Sequence, residues 1–176
     1  MSYTLLIPNK KNLIKFLWLV LPLFIISNST YQAQTLTLTG TNWAVSVPTI
    51  TEAGSNYAGT YESATNQAVL AVSVPLLLGN AKVSVRYEAN PTWNSGLVIS
   101  AKRTSNGTTL CALCTITGGT AYQTVTLTDI ELFRIQAVLA LASYTGINIQ
   151  FQLSGVSVTI PAASYQSRVV FTVSAI

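Results

Sequence analysis

The sequence predicts an all-β fold, an antiparallel β-sandwich, and three observations carry that prediction. After residue 33 apolar residues recur at every second position through most of the chain, the pattern of strands with one buried and one wet face. The alternating segments are short and are separated by turns containing Gly and Asn. There is no regular exchange of strand-like and helix-like segments, as a parallel α/β sheet would need.

The elements follow in order. Lys10, Lys11 and Lys15 precede the apolar run FLWLVLPLFII at residues 16–26. That run has the length of a secretory h-region and is shorter than the roughly 20 residues of a membrane span. Small polar residues come next, and Ser27 and Ser29 fit a small-x-small cleavage rule. Residues 1–33 are therefore read as a signal peptide and residues 34–176 as a single β-sandwich domain, secreted or displayed at the cell surface. Leu36 and Leu38 alternate with threonines, and Gly40-Thr41-Asn42 shifts the phase so that Trp43, Val45 and Val47 continue it, as at a bend or bulge. Residues 48–63, rich in Gly, Asn, Ser and Thr, are too polar for a core strand and read as a surface loop.

Strands are expected at residues 70–74, 83–87, 97–99, 110–116 and 125–127, each bounded by turn chemistry such as Gly79-Asn80 or Ser105-Asn106-Gly107. Residues 129–143 are ambiguous. Asp129 suits an N-cap and the Ala and Leu content suits a helix, but apolar residues cover every face instead of one stripe. A short helix near residues 130–142 and a strand followed by a loop both remain open. Alternation returns at Ile149, Phe151 and Leu153, breaks at Gly155 and resumes from Val156 to Ile160. The last strand is the cleanest, with Tyr165, Val169, Phe171 and Val173 on one face and Arg168, Thr172 and Ser174 on the other.

Composition limits the function. The chain is 49% hydrophobic and only 8% charged, enough apolar content for a sizeable core and little charge for a free cytosolic protein. Without the three lysines of the signal, six cations (Lys82, Arg86, Lys102, Arg103, Arg134, Arg168) face five carboxylates (Glu52, Glu62, Glu88, Asp129, Glu131). Only Lys102 and Arg103 are adjacent, so the clustered positive charge that binds nucleic acid is missing. The chain has no histidine, which excludes a Ser-His-Asp triad, histidine acid/base catalysis and imidazole metal ligation. Asp129 with Glu131, or Glu52 with Glu62, are the available carboxylate pairs, and both read as solvated acids before they read as a glycosidase pair. The expectation is a protein without catalytic residues, cofactor or metal.

Cys111 and Cys114 form a CxxC within TTLCALCTI. In an extended strand their Cα atoms would lie about 10 Å apart, beyond the roughly 7 Å that a disulfide spans. Either a local turn joins them or they stay reduced. Trp93, in the loop NPTWNSG, is the candidate sugar-stacking platform, with Tyr57 and Tyr61 as extensions and a glycan as the implied partner. The competing reading is that Trp93 caps the core.

The C-terminal stretch GINIQFQLSGVSVTIPAASYQSRVVFTVSAI resembles the ending of secreted bacterial pilin and spore-coat-like β-sandwich subunits, in which a Gly- or Pro-marked turn and a Tyr precede a final alternating strand. The chaperone–usher relatives imply an immunoglobulin-like sandwich, left incomplete and finished by an alternating N-terminal strand from the next subunit. By that resemblance residues 34–39 would be the donor arm, with Leu36 and Leu38 as its plugs, and Tyr165, Val169, Phe171 and Val173 would border the acceptor groove. It also implies self-association into a homopolymer and export through a periplasmic chaperone and outer-membrane machinery. The function expected is a structural or adhesive surface subunit assembling into a fibre, coat or surface layer, with a secreted carbohydrate-binding module as the alternative.

Overall fold

A computed structural model of the chain describes residues 34–57, 59–74, 79–137 and 142–176. The predicted signal peptide lies outside the described residues. Among the described residues eleven strands are formed, β1 (Thr35–Gly40), β2 (Tyr61–Glu62), β3 (Ala68–Val74), β4 (Asn80–Ala89), β5 (Val98–Arg103), β6 (Thr108–Thr109), β7 (Thr115–Thr117), β8 (Gln123–Thr124), β9 (Ile130–Gln136), β10 (Ala142–Ser154) and β11 (Ser167–Ala175). Every pairing is antiparallel. One sheet runs β1-β3-β10-β5-β8, with β2 and β6 also paired to β10, and the second runs β11-β4-β9-β7.

The inward faces of the two sheets share one core. Leu70 and Val72 of β3, Ile147 and Ile149 of β10, Val83 and Val85 of β4 and Phe133 and Ile135 of β9 are all buried within it. Phe151 bridges the layers, with its ring 6.4 Å from Trp43 and 6.3 Å from Phe171. This is the antiparallel sandwich that the alternation predicts.

The connectivity is not the immunoglobulin-like one. An immunoglobulin sandwich pairs A with B, D with E and F with G as consecutive strands within a sheet, whereas here β3, β4 and β5 fall in alternate sheets, as do β8, β9, β10 and β11. Pairing is nested instead, β3 with β10, β4 with β9 and β5 with β8. A long hairpin rolled across two layers produces that nesting, which is the jelly-roll arrangement. Alternation within each strand is identical in the two topologies, so the sequence pattern could not separate them.

Two further expectations are corrected. Of the segment near residues 130–142 where the sequence leaves a short helix open, residues 130–136 are strand β9, and residues 138–141 lie outside the described residues. The register against β4 slips between Val83 and Ser84, which makes Leu132 an extra residue, so that Leu132 and Phe133 are buried in succession. A bulge of this kind breaks the period of two and spreads apolar residues round the segment. The strand expected at residues 110–116 is interrupted by a turn at residues 112–113, closed by the Cys114 amide donating to the Cys111 carbonyl at 3.3 Å. That turn brings the two Cα atoms to 5.4 Å and the cysteines form a disulfide, the first of the two outcomes the spacing left open.

Candidate functional site

The long strands at the sheet edges meet on one flank. β1 ends the first sheet and β11 ends the second, and the two touch. At the opposite flank the edges are β8, of two residues, and β7, of three. Natural sheets blunt their edges with short strands, Lys, Pro or bulges. β7 and β8 are short in this sense. β1, TLTLTG, carries no charge and no Pro, and β11, SRVVFTVSA, pairs with β4 through nine residues without a break and carries Arg168 alone.

Among the described residues nothing covers the core where it reaches this flank. Leu38 lies opposite Leu70 and Leu36 opposite Val72, and both partners are fully buried, so both leucines point inward. Leu38 is nevertheless 50% exposed. Val169, Phe171 and Val173 of β11 lie opposite Tyr87, Val85 and Val83 of β4. Val83 and Val85 have no exposed surface, whereas all three β11 residues are only half-buried. Between the two edges is a cleft of about 380 Å³, lined by Leu36, Leu38, Val169, Val170 and Phe171.

Its rim is charged. Glu88 accepts from Arg86 Nη2 at 2.8 Å and from Arg168 Nε at 2.9 Å, with Arg168 Nη2 on the same carboxylate oxygen, and Arg86 also reaches Asp129 at 3.4 Å. Hydrogen bonds from Arg168 first and Arg86 second hold the Glu88 carboxyl below its usual range. The alternation could not find this network, because it joins β4 and β11 through residues facing away from the core. The cross-strand pair Arg168 and Glu88 becomes legible only when the register is known.

The sequence-predicted site residues fall as follows. Leu36 and Leu38 share the cleft with Val169 and Phe171, and Val173 stands two residues further along β11. β1 is paired within its own chain from Thr35↔Ser73 to Gly40↔Ala68, so Gly40 ends the strand without releasing it from the sheet. Tyr165 precedes β11 in a loop, where its hydroxyl donates to the Pro161 carbonyl at 2.5 Å. Trp93 packs on the core with its ring 6.1 Å from Tyr87 and its indole nitrogen enclosed without a hydrogen-bond partner. Its aromatic neighbour is thus Tyr87, not Tyr57 or Tyr61. Tyr57 is half-buried beside Asn56, and Tyr61 lies in β2 opposite Leu153.

Of the candidate carboxylates, Asp129, Glu131 and Glu62 are engaged. Glu131 is bound by Arg134 Nε and Nη2 at 2.5 and 2.9 Å, which lowers its pKa, and Glu62 accepts from Gln150 and Gln152. A general acid needs the opposite shift. A second cleft of about 410 Å³ is lined by Tyr87, Leu97, Ile99, Val125 and Leu127 together with serine and threonine, and no carboxylate enters it. Among the described residues no cluster of three or more His, Cys, Asp or Glu is placed to hold a metal ion. The β1/β11 flank therefore offers unpaired backbone edges, apolar side chains and a rim of paired charges, a surface suited to receiving an extended chain. No family model matches this chain, and neither a curated protein nor a solved structure matches it.

Proposed function

We propose that the chain is a secreted structural or adhesive surface subunit that assembles into a fibre, coat or surface layer by adding strands at the β1/β11 flank. The observation that supports this reading is the placement of both long, unblunted edges on one flank, with inward-facing Leu38 and Phe171 left partly open between them. A strand laid on such an edge gains main-chain hydrogen bonds, and its alternate side chains fill the apolar cleft. Because β1 already pairs with β3 along six residues, it takes part as an edge, and a full exchange of the arm would first have to break that pairing. The low charge of the mature chain fits a subunit whose solubility as a monomer is not its working state.

The test is the assembly state of the purified mature chain, by sedimentation and electron microscopy, compared with Leu38→Asp. Leu38 is half-exposed, so the monomer accommodates a carboxylate at small cost, whereas burying that charge in a strand interface costs several kcal/mol. Wild-type multimers and a folded, monomeric variant are expected. Multimers of unchanged size and stability in Leu38→Asp would rule out this flank as the contact.

A further inference from the structure

The geometry points to a particular form of strand addition: two copies join flank to flank about a two-fold axis, β11 pairing with β11 and β1 with β1, so that both sheets run on across the contact. This rests on the assembly reading above and adds the partner's surface and the symmetry.

The argument begins with the two edges. A two-fold axis normal to a sheet sets the edge strand antiparallel to its own copy, the arrangement every pair in this fold already uses. β1 and β11 lie in stacked sheets on the same flank, so one axis through both layers satisfies both edges at once. A two-fold axis along the strands would instead lay β1 of each copy on β11 of the other, but β1 has six residues and β11 nine, so part of each β11 would stay unpaired, whereas like-to-like pairing uses the full length of both.

Charge favours the same arrangement. Arg168 is the one charged residue of β11 and lies next to its start, and β1 has none. Antiparallel self-pairing about the middle of β11 sets Arg168 across from the Ser174 end of the copy, where no like charge stands. Parallel pairing would set the two arginines face to face. Glu88 stays with Arg168 in either copy, so the rim is already neutralised before contact.

The cleft then closes on itself. Leu36, Leu38 and Phe171 of each copy meet their equivalents, and the half-buried residues of both flanks become one continuous core. A nine-residue strand is about 30 Å long, and two layers with their side chains present a depth of about 15 Å, which gives roughly 450 Å² per copy and about 900 Å² in all. Specific complexes begin near about 1,200 Å², so the pair is a weak one, suited to a unit that further contacts build into a larger array.

Cysteine cross-linking distinguishes the alternatives. Val170, Thr172 and Thr37 point away from the core on β11 and β1, and opposed residues of antiparallel strands come within disulfide reach. Val170→Cys, Thr172→Cys and Thr37→Cys, each alone and in mixed pairs, are oxidised gently in the otherwise intact mature protein. The expected result is a disulfide-linked dimer within the β11 pair of variants, since residues 170 and 172 bracket the axis, and a Thr37→Cys dimer to match. Cross-linking only between Thr37→Cys and a β11 variant would overturn the like-to-like pairing and leave β1-on-β11 strand addition standing. Absence of every cross-link from a protein that sediments as a monomer would overturn both this pairing and the assembly reading on which it rests.

Discussion

Replacing Phe171 by Ala tests whether the core ends open at the β11 flank. Phe171 faces inward opposite Val85, and its ring meets Phe151 of the other sheet at 6.3 Å with a 43° tilt. A fully buried Phe reduced to Ala costs about 3 to 5 kcal/mol. Phe171 is only half-buried, so its burial is worth about half of that, and loss of the ring pair adds about 0.5 to 1 kcal/mol. The expected cost is about 2 to 3 kcal/mol, which for a domain of this size lowers Tm by roughly 6 to 9 °C. Phe133→Ala, at a position 1% exposed, should cost about 3 to 5 kcal/mol. Thr172→Ala, on the outer face, should stay within about 0.5 kcal/mol. Urea unfolding of the three variants, at protein concentrations low enough to keep the chain monomeric, gives the comparison. A Phe171 cost equal to that of Phe133 would mean that the flank is covered in the monomer, and a cost equal to that of Thr172 would mean that the assigned face is wrong. Either outcome removes the open cleft from which the assembly argument starts.

Three other perturbations have defined outcomes. The Cys111–Cys114 disulfide closes a loop of sequence separation 3, for which chain entropy gives about 2 kcal/mol; replacing both cysteines by Ser should cost no more than that in urea unfolding and should leave the circular dichroism of the sandwich intact. Arg103 is 5% exposed, and its guanidinium donates to the Gly118 carbonyl from Nε and Nη2 and to the Ser105 carbonyl and Asn106 Oδ1 from Nη1; Arg103→Met strands the Gly118 carbonyl and should cost about 2 to 4 kcal/mol by the same assay, with Arg103→Lys recovering only part because an ammonium cannot fork. Burial first and the Glu62 carboxylate second push the Tyr122 hydroxyl up to about 12. Between the ordinary tyrosine value near 10 and about 12 the unfolded chain therefore releases a proton that the folded chain keeps, so stability falls as pH rises through this window, and a phenolate absorbance titration should show one late tyrosine that disappears in Tyr122→Phe.

Much of the architecture was legible because burial on a sheet imposes a period of two. β3 and β11 alternate along their length, and the sequence located them within a few residues. Legibility failed where alternation failed. Leu132 is inserted by a bulge, so the segment around it lost its period and admitted a helix. Residues 110–116 read as a strand because Leu, Ala and Ile are apolar, although Leu110, just before the disulfide-closed turn, and Leu113, within it, are exposed. Leu36, Leu38, Val169 and Phe171, which the pilin-like resemblance singled out in the sequence, alternate within their strands and line the cleft. The Arg86–Glu88–Arg168 rim was hidden because its members come together only through the β4 to β11 register.

The location of the open flank follows from how the chain wraps. In a nested roll the strands that pair first and last are the outermost, and β3 and β4, consecutive in sequence, end their sheets' nested portions on the same side. β1, before β3, and β11, after β10, both extend that side. The first and last strands of the described residues thus come together at one flank. A monomeric protein would be expected to blunt these two strands with Lys, Pro or a bulge. Instead β1 alternates Thr with Leu, and β11 holds nine residues in unbroken register with its single arginine already paired to Glu88. The topology sets where a neighbour can attach, and the composition of these two strands leaves that place able to receive one.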